Sequence, residues 1–400
     1  MTVLYPKRYL TAVLVAVITL HYLLSITYDN YGRISSFTNI SERIRTNEEP
    51  TEAPSIPDLN RLQYTNASGE SANATFVLLA RNSDLAGVIN SMQSAEDRFN
   101  RFYNYPWVLL NEEPFTEEFK SRVSVLTRAP ISFGQIPKEH WYQPEWIDED
   151  RAREGRQKMM AKQIIYGGSV PYRNMCRFNS GFFFRHELLQ PYRYYWRVEP
   201  DVRFFCDLDY DPFLYMQKHD KVYSFTISLF EWEPTIPSLW RTVKEFITEY
   251  PHYVENHNAM DFLSNDGGRT YNLCHFWSNF EIADMDFWRS EAYIAFFEYL
   301  ELKGGFYYER WGDAPVHSIA AALFARRDQI HFFRDIGYRH DPFQHCPSGE
   351  QHTQNRCACD SKDTFGQNTS LPPVPLVKLT SSPLDYTPNS CLAKFEKLFG

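Results

Sequence analysis

The feature that most constrains the fold is a continuous apolar run at residues 74–80, Ala-Thr-Phe-Val-Leu-Leu-Ala, closed by Arg81. A run this short, with no polar face, fits a central strand buried on both sides. Asn82, Ser83 and Asp84 follow as helix-capping residues, 85–99 carry helical spacing, and 107–111 (Trp-Val-Leu-Leu-Asn) read as a second strand. Strand, helix, strand in that order predicts a parallel sheet covered by helices. The alternation continues with a helix near 153–166, strands at 194–198 and 222–227, and helices near 239–249, 286–300 and 316–324. The expected class is α/β, a Rossmann-type mixed, mainly parallel sheet flanked by helices, in one large domain over 73–400.

Residues 9–28 form an apolar stretch preceded by Lys7 and Arg8. It is longer than a cleavable signal core and lacks an obvious cleavage site, so it reads as a transmembrane signal anchor. The positive charges on the short side leave 1–8 as a cytoplasmic tail and send the rest into the lumen. Residues 29–72 are polar and broken by Pro50, Pro54 and Pro57, the composition of a disordered stem. Sequons at Asn39, Asn66, Asn73 and Asn368 agree with a luminal position. Seven cysteines there should mostly pair and leave at least one unpaired within the chain. The stretch 347–400 is rich in proline and cysteine and reads as a stapled tail. A net charge of -9 offers no footprint for nucleic acid, which is excluded as a partner.

Ligands of open parallel sheets bind beyond the carboxyl ends of the strands, so polar groups after apolar runs are the place to look. Four constellations qualify. Arg197-Val-Glu199-Pro-Asp201 ends a strand in two carboxylates at i and i+2, on one face and about 6.5–7 Å apart if extended. Such oxygens suit Mn²⁺ or Mg²⁺, or simply a solvated turn. Asp207, Asp209 and Asp211 repeat the spacing but precede Pro212, where they more plainly cap a helix.

Glu281 is the one acid in the aromatic stretch 271–283 and could face a reacting carbon, or be a buried carboxylate satisfied by Asn279 or a backbone amide. Asp313 lies in the Gly-bearing segment 307–318, where it could bind sugar hydroxyls or cap the next helix; Trp311 offers a stacking face. His340, in 335–343, could reach a metal across a cleft from Glu199. A zinc site from His345, Cys346, His352, Cys357 and Cys359 has irregular spacing and competes with disulfides. No GxGxxG, Walker, HExxH or G-x-S-x-G motif is present.

Taken together, 172–178 (Tyr-Arg-Asn-Met-Cys-Arg-Phe), 197–202 (Arg-Val-Glu-Pro-Asp-Val), 275–283 (His-Phe-Trp-Ser-Asn-Phe-Glu-Ile-Ala) and 311–318 (Trp-Gly-Asp-Ala-Pro-Val-His-Ser) closely resemble the fungal Kre2/Mnt1-like α-1,2-mannosyltransferases, glycosyltransferase family 15. The likeness runs from about residue 74 to 347. It implies a GT-A-like fold, GDP-mannose as donor, Mn²⁺ as cofactor, a mannose-containing glycan on a glycoprotein as acceptor, retention of the α configuration and a Golgi membrane location. It also implies Glu199 and His340 as metal ligands, with Asp201 beside them, and Glu281 as the proposed nucleophile. Tyr172 is implied at the donor diphosphate and Arg197, Glu231 and Asp313 near the sugars; Arg81, at the end of the first strand, is counted with the substrate-binding residues. Two other readings stay open: a retaining α-mannosidase using two carboxylates, and a catalytically silent mannan-binding protein.

Overall fold

The apolar run forms strand β1 (Ala74–Leu79), and its neighbours explain why it has no polar face. The strands that follow are β2 (Trp107–Asn111), β3 (Ile131–Gln135), β4 (Tyr194–Val198), β5 (Arg203–Phe204), β6 (Tyr223–Phe225), β7 (Ser228–Phe230), β8 (Cys274–Phe276), β9 (Glu281–Asp284), β10 (Ile330–Phe332), β11 (Tyr338–His340) and β12 (Phe343–His345). Seven of them make the main sheet in the order β10-β6-β9-β4-β1-β2-β3. β1 lies between β2 and β4, parallel to both, so water reaches neither edge of it. Phe76 and Leu78 enter one apolar cluster with Trp107 and Trp196, while Val77 enters the other with Val108 and Tyr195. That is the two-residue period of a strand covered on both sides.

This computed structural model describes residues 69–365 and 389–399. The expected cytoplasmic tail and anchor, the stem before residue 69, and the sequons at Asn39, Asn66 and Asn368 lie outside those residues. Among the described residues no helix is long and apolar enough to cross a membrane.

The sheet is mixed for one reason. β9 runs antiparallel to both β4 and β6, whereas β2 with β3 and β6 with β10 are parallel. β9 therefore begins at the edge where β4 ends, and Arg197 pairs with Glu281 across it. Sequence periodicity did not show β3, β9 or β10. β3 is half-exposed at the sheet border, and β9 and β10 are too short to display a period.

Helix boundaries follow their caps. Asp211 accepts hydrogen bonds from the backbone N–H groups of Phe213 and Leu214 and starts Pro212–Lys218, as its position before Pro212 predicts. Ser169 caps Val170–Gly181, the helix that carries the 172–178 motif. The helix expected at 286–300 is two, Met285–Trp288 and Glu291–Lys303, because Ser290 caps the second. The helix expected near 153–166 is Glu149–Ala161, capped by Asp148.

A second sheet, in the order β12-β11-β5, grows from the turn after β4. Pairing of Arg203 with Arg339 and of Phe204 with Tyr338 carries His340 to the end of β4. Disulfides Cys206–Cys357, Cys346–Cys359 and Cys274–Cys391 brace this region, and Cys176 is a buried free thiol. Cys346, His352 and Cys359 lie close together, but the two sulfurs are bonded to each other, so the zinc reading fails for want of thiolates.

Candidate active site

Arg197 and Tyr195 point from the same face of β4, and the site is built around them. The Arg197 guanidinium donates to Glu199 on one side and to Asp313 on the other. Glu199 places its second oxygen, Oε2, 3.3 Å from His340 Nε2. Burial opposes ionisation of Glu199, but Arg197 and His340 outweigh it and hold its pKa at about 2. For His340, burial disfavours the cation, yet contact with Glu199 raises the pKa above the usual imidazole value. A carboxylate oxygen and an imidazole nitrogen this close, both partly exposed, form a mixed donor set that suits a divalent cation such as Mn²⁺.

Asp201 does not join them. β4 stops at Val198, so the strand spacing expected for residues 199 and 201 is never realised. Asp201 turns into the left-handed region at φ +63°, and its backbone N–H donates to Gly87 O at 3.1 Å. Its carboxylate lies against helix Leu85–Ala95, so close that a Cβ on Gly87 would come within 2.7 Å of Oδ2. Only a glycine admits that approach. Of the two acids, Glu199 alone is within ion-pair distance of His340, and the expectation of Asp201 as a metal ligand is corrected accordingly.

Glu281 is 1% exposed at the start of β9. Tyr195 Oη donates to its Oε1 at 2.6 Å, and His317 Nδ1 lies 3.1 Å from Oε2. The other ring nitrogen of His317 faces Asn179 O at 3.0 Å, and Trp288 Nε1–H donates to Tyr195 Oη at 3.0 Å. The partners expected for a satisfied carboxylate, Asn279 or a backbone amide, are not the ones that hold it. Neither Tyr195 nor His317 was singled out from the sequence, although spacing marks both. Tyr195 shares a strand face with Arg197, and His317 stands four residues from Asp313 on one helix.

Asp313 is the first residue of helix Asp313–Phe324 but does not cap it; its carboxylate takes Arg197 and the Ser278 hydroxyl at 2.8 Å. Glu231, just after β7, accepts from the Trp232 backbone N–H, and its Oε2 would lie 3.8 Å from a Cβ at Gly312. Tyr172 stacks on Tyr166 at 4.5 Å, and the Arg310 guanidinium lies 5.0 Å from its ring centre. Burial first, then charges that include Asp313 and Glu231, push its phenol well above pKa 10. Arg81 stands at the same sheet edge, but its mostly exposed guanidinium pairs with Asp84 and with no member of this cluster. Trp311 is fully buried, its indole N–H on Glu309, so it presents no stacking face. Trp277, by contrast, is partly exposed, with its ring 5.1 Å from that of His340.

The sequence profile of the glycolipid 2-alpha-mannosyltransferases matches residues 31–371. Glycolipid 2-alpha-mannosyltransferase 2 of Candida albicans is 55% identical over 74% of this chain and 64% of its own length, so the chain spans just under two thirds of that relative. Glycolipid 2-alpha-mannosyltransferase of Saccharomyces cerevisiae is 51% identical over 80% of this chain and 72% of its own. Among solved structures, core-mannan synthase A of Aspergillus fumigatus, crystallised in a Mn/GDP form, superposes with a TM-score of 0.73 and 40% identity over 82% of this chain and 85% of its own. The expected glycosyltransferase fold and family are thus both met, and this chain belongs to the glycolipid 2-alpha-mannosyltransferases, glycosyltransferase family 15.

Proposed function

We propose that this protein is a Mn²⁺-dependent, retaining α-1,2-mannosyltransferase that moves mannose from GDP-mannose to a mannose-terminated N- or O-linked glycan. The observation that carries this reading is the approach of His340 to Glu199 at the carboxyl end of β4, with Glu281 paired beside Arg197. The relatives' names and the Mn/GDP form of the Aspergillus structure support the donor and the metal. We further propose that the anchor at 9–28 holds the chain as a type II protein of the Golgi membrane, with the stem at 29–72 spacing the catalytic domain from the bilayer.

Glu199 and His340 would hold the cation, which when bound supplies a Lewis acid against the charge growing on the departing GDP. The protein's own groups do the rest. Arg197, fixed between two acids, keeps Glu199 ionised and aimed. Glu231 and Asp313 offer carboxylate oxygens to mannose hydroxyls and fix the acceptor. Glu281 is buried, with Tyr195 Oη donating to one oxygen and His317 Nδ1 3.1 Å from the other, which suits a fixed negative charge beneath an oxocarbenium-like carbon. That arrangement favours attack by the acceptor's 2-hydroxyl on the face the phosphate leaves, over a covalent mannosyl-Glu281 intermediate.

The test is transfer from GDP-mannose to mannobiose and to N-glycan acceptors, with and without Mn²⁺, followed by linkage analysis. The proposal expects a new α-1,2 bond, GDP release and loss of both on chelation. Hydrolysis of mannosides without GDP release would replace it with the mannosidase reading; glycan binding without turnover would replace it with the silent one.

A further inference from the structure

Arg173, inside the 172–178 motif, is fully buried, yet its guanidinium meets no carboxylate. It donates to the carbonyls of Ser169 (2.9 Å), Gly167 (2.9 Å), Tyr166 (3.3 Å) and Glu309 (3.0 Å), and to Met159 Sδ. Those bonds tie the loop carrying Tyr166 to the segment 309–310. Burial first, then the nearby guanidiniums of Arg310 and Arg156, push its pKa down to about 10. A second cation close by is therefore an unrelieved cost in the protein alone.

That second cation is Arg310. Its side chain is half-buried over the Tyr172 ring, and its Nε is enclosed without a hydrogen-bond partner. Among the described residues no carboxylate comes within ion-pair distance of it; burial opposes its charge, and the Tyr172 phenol, then Glu231 from further away, favour it. The neighbouring acids are occupied otherwise: Glu309 accepts from the Trp311 indole and the Ser238 N–H, and Asp313 from Arg197 and Ser278. Arg197, by contrast, is already paired with both Glu199 and Asp313. Arg310 thus holds the spare donors.

We propose that Arg310 binds the diphosphate of the nucleotide donor, with Arg173 as the positioning residue that fixes the segments bearing Tyr172 and Arg310. Sugar hydroxyls are served by carboxylates, which the cleft already offers in Glu231 and Asp313. Two guanidiniums that lack a carboxylate call for an anion, and the diphosphate is the anion among the reactants. The inference rests on the nucleotide-sugar donor proposed above.

Calorimetric titration of the full chain in Mn²⁺ tests it, with GDP and guanosine as separate probes. Arg310→Gln is expected to weaken GDP binding at least tenfold, Arg310→Lys to weaken it less, and both to leave guanosine binding unchanged, which also reports an intact fold. GDP affinity within twofold of the parent in Arg310→Gln would overturn the assignment to Arg310 alone. Equal loss of GDP and guanosine in both variants would overturn it too, by making the residue structural. Failure of the parent chain to bind GDP would overturn the donor assignment and this inference together.

Discussion

The carboxylate of Glu199 is divided between a guanidinium and an imidazole, Oε1 taking Arg197 and Oε2 lying 3.3 Å from His340 Nε2. In the metal-free protein the pair Glu199–His340 is an ion pair whenever His340 is protonated. Where His340 is protonated, a cation held by the pair as proposed would have to expel that proton.

That requirement sets a pH dependence with a definite sign. Contact with Glu199, working against burial, raises the His340 pKa. Below that pKa the imidazole is blocked by its proton, so Mn²⁺ affinity should fall by up to about tenfold per pH unit as the solution is acidified. Above it the affinity should be flat. Mn²⁺ titrations between about pH 5 and 8 would check this, and His340→Gln should both weaken binding and abolish the slope.

Loss of the Glu281 charge is expected to strike turnover and spare the fold. Glu281→Gln keeps the size of the side chain but removes the anion, and kcat should drop by about 100-fold or more. Tyr195→Phe removes one donor to Glu281 and the acceptor of the Trp288 indole, so it should cost about 1–3 kcal/mol of stability and a smaller share of kcat. Thermal denaturation alongside GDP-release kinetics separates the two effects. A Glu281→Gln enzyme with normal turnover would remove that residue from the chemistry.

Acid should loosen the domain through two of its buried histidines. Burial lowers the pKa of His345 from 6.5 to about 4, and His331 likewise. Their unfolded forms take up protons first, so stability is intact above pH 6.5 and declines as pH falls from there toward 4. For His345, 1% exposed, the slope reaches about 1.4 kcal/mol per pH unit. His345→Gln can still donate to Arg334 O, where His345 Nε2 now stands at 2.8 Å, and should flatten the dependence of melting temperature on pH.

Cys391→Ser opens the Cys274–Cys391 bridge and should lower stability by about 2–5 kcal/mol. Because Cys274 begins β8, one residue before the 275–283 motif, the variant should lose activity at a lower temperature than the parent. Parallel melting and activity curves of the two proteins provide the measurement.

Much of this architecture was legible because burial writes itself into composition. β1, β2 and β4 are flanked on both edges and covered on both faces, so their residues are almost all apolar and their limits stand out. Asp211 before Pro212 announced a helix start, and the helix is there. What stayed hidden depends on direction and turns. No local pattern shows that β9 runs antiparallel, or that Asp201 adopts positive φ and leaves Glu199 without its neighbour. Residue chemistry made His340 a candidate partner for Glu199 and family likeness implied the pair as metal ligands; the physical cause of their meeting, the pairing of β5 with β11, is visible only in the fold. Arg310 carries no local signal at all, since an arginine is marked by what fails to surround it.

The reversed direction of β9 has a consequence for how such a chain can vary. Between β4 and β9 the chain carries Glu199, Glu231 and strands β5 to β8, yet Glu281 meets the site only as long as it stays opposite Arg197. Insertions confined to surface turns of that interval leave this pairing in place. A slip of the pairing by a single position would swing the acid to the opposite side of the sheet, beyond the reach of Tyr195 and His317, and would exchange the core environments of Ile282 and Ala283 with it. The register of two strands is thus a constraint on natural drift in this chain beside the identity of its site residues.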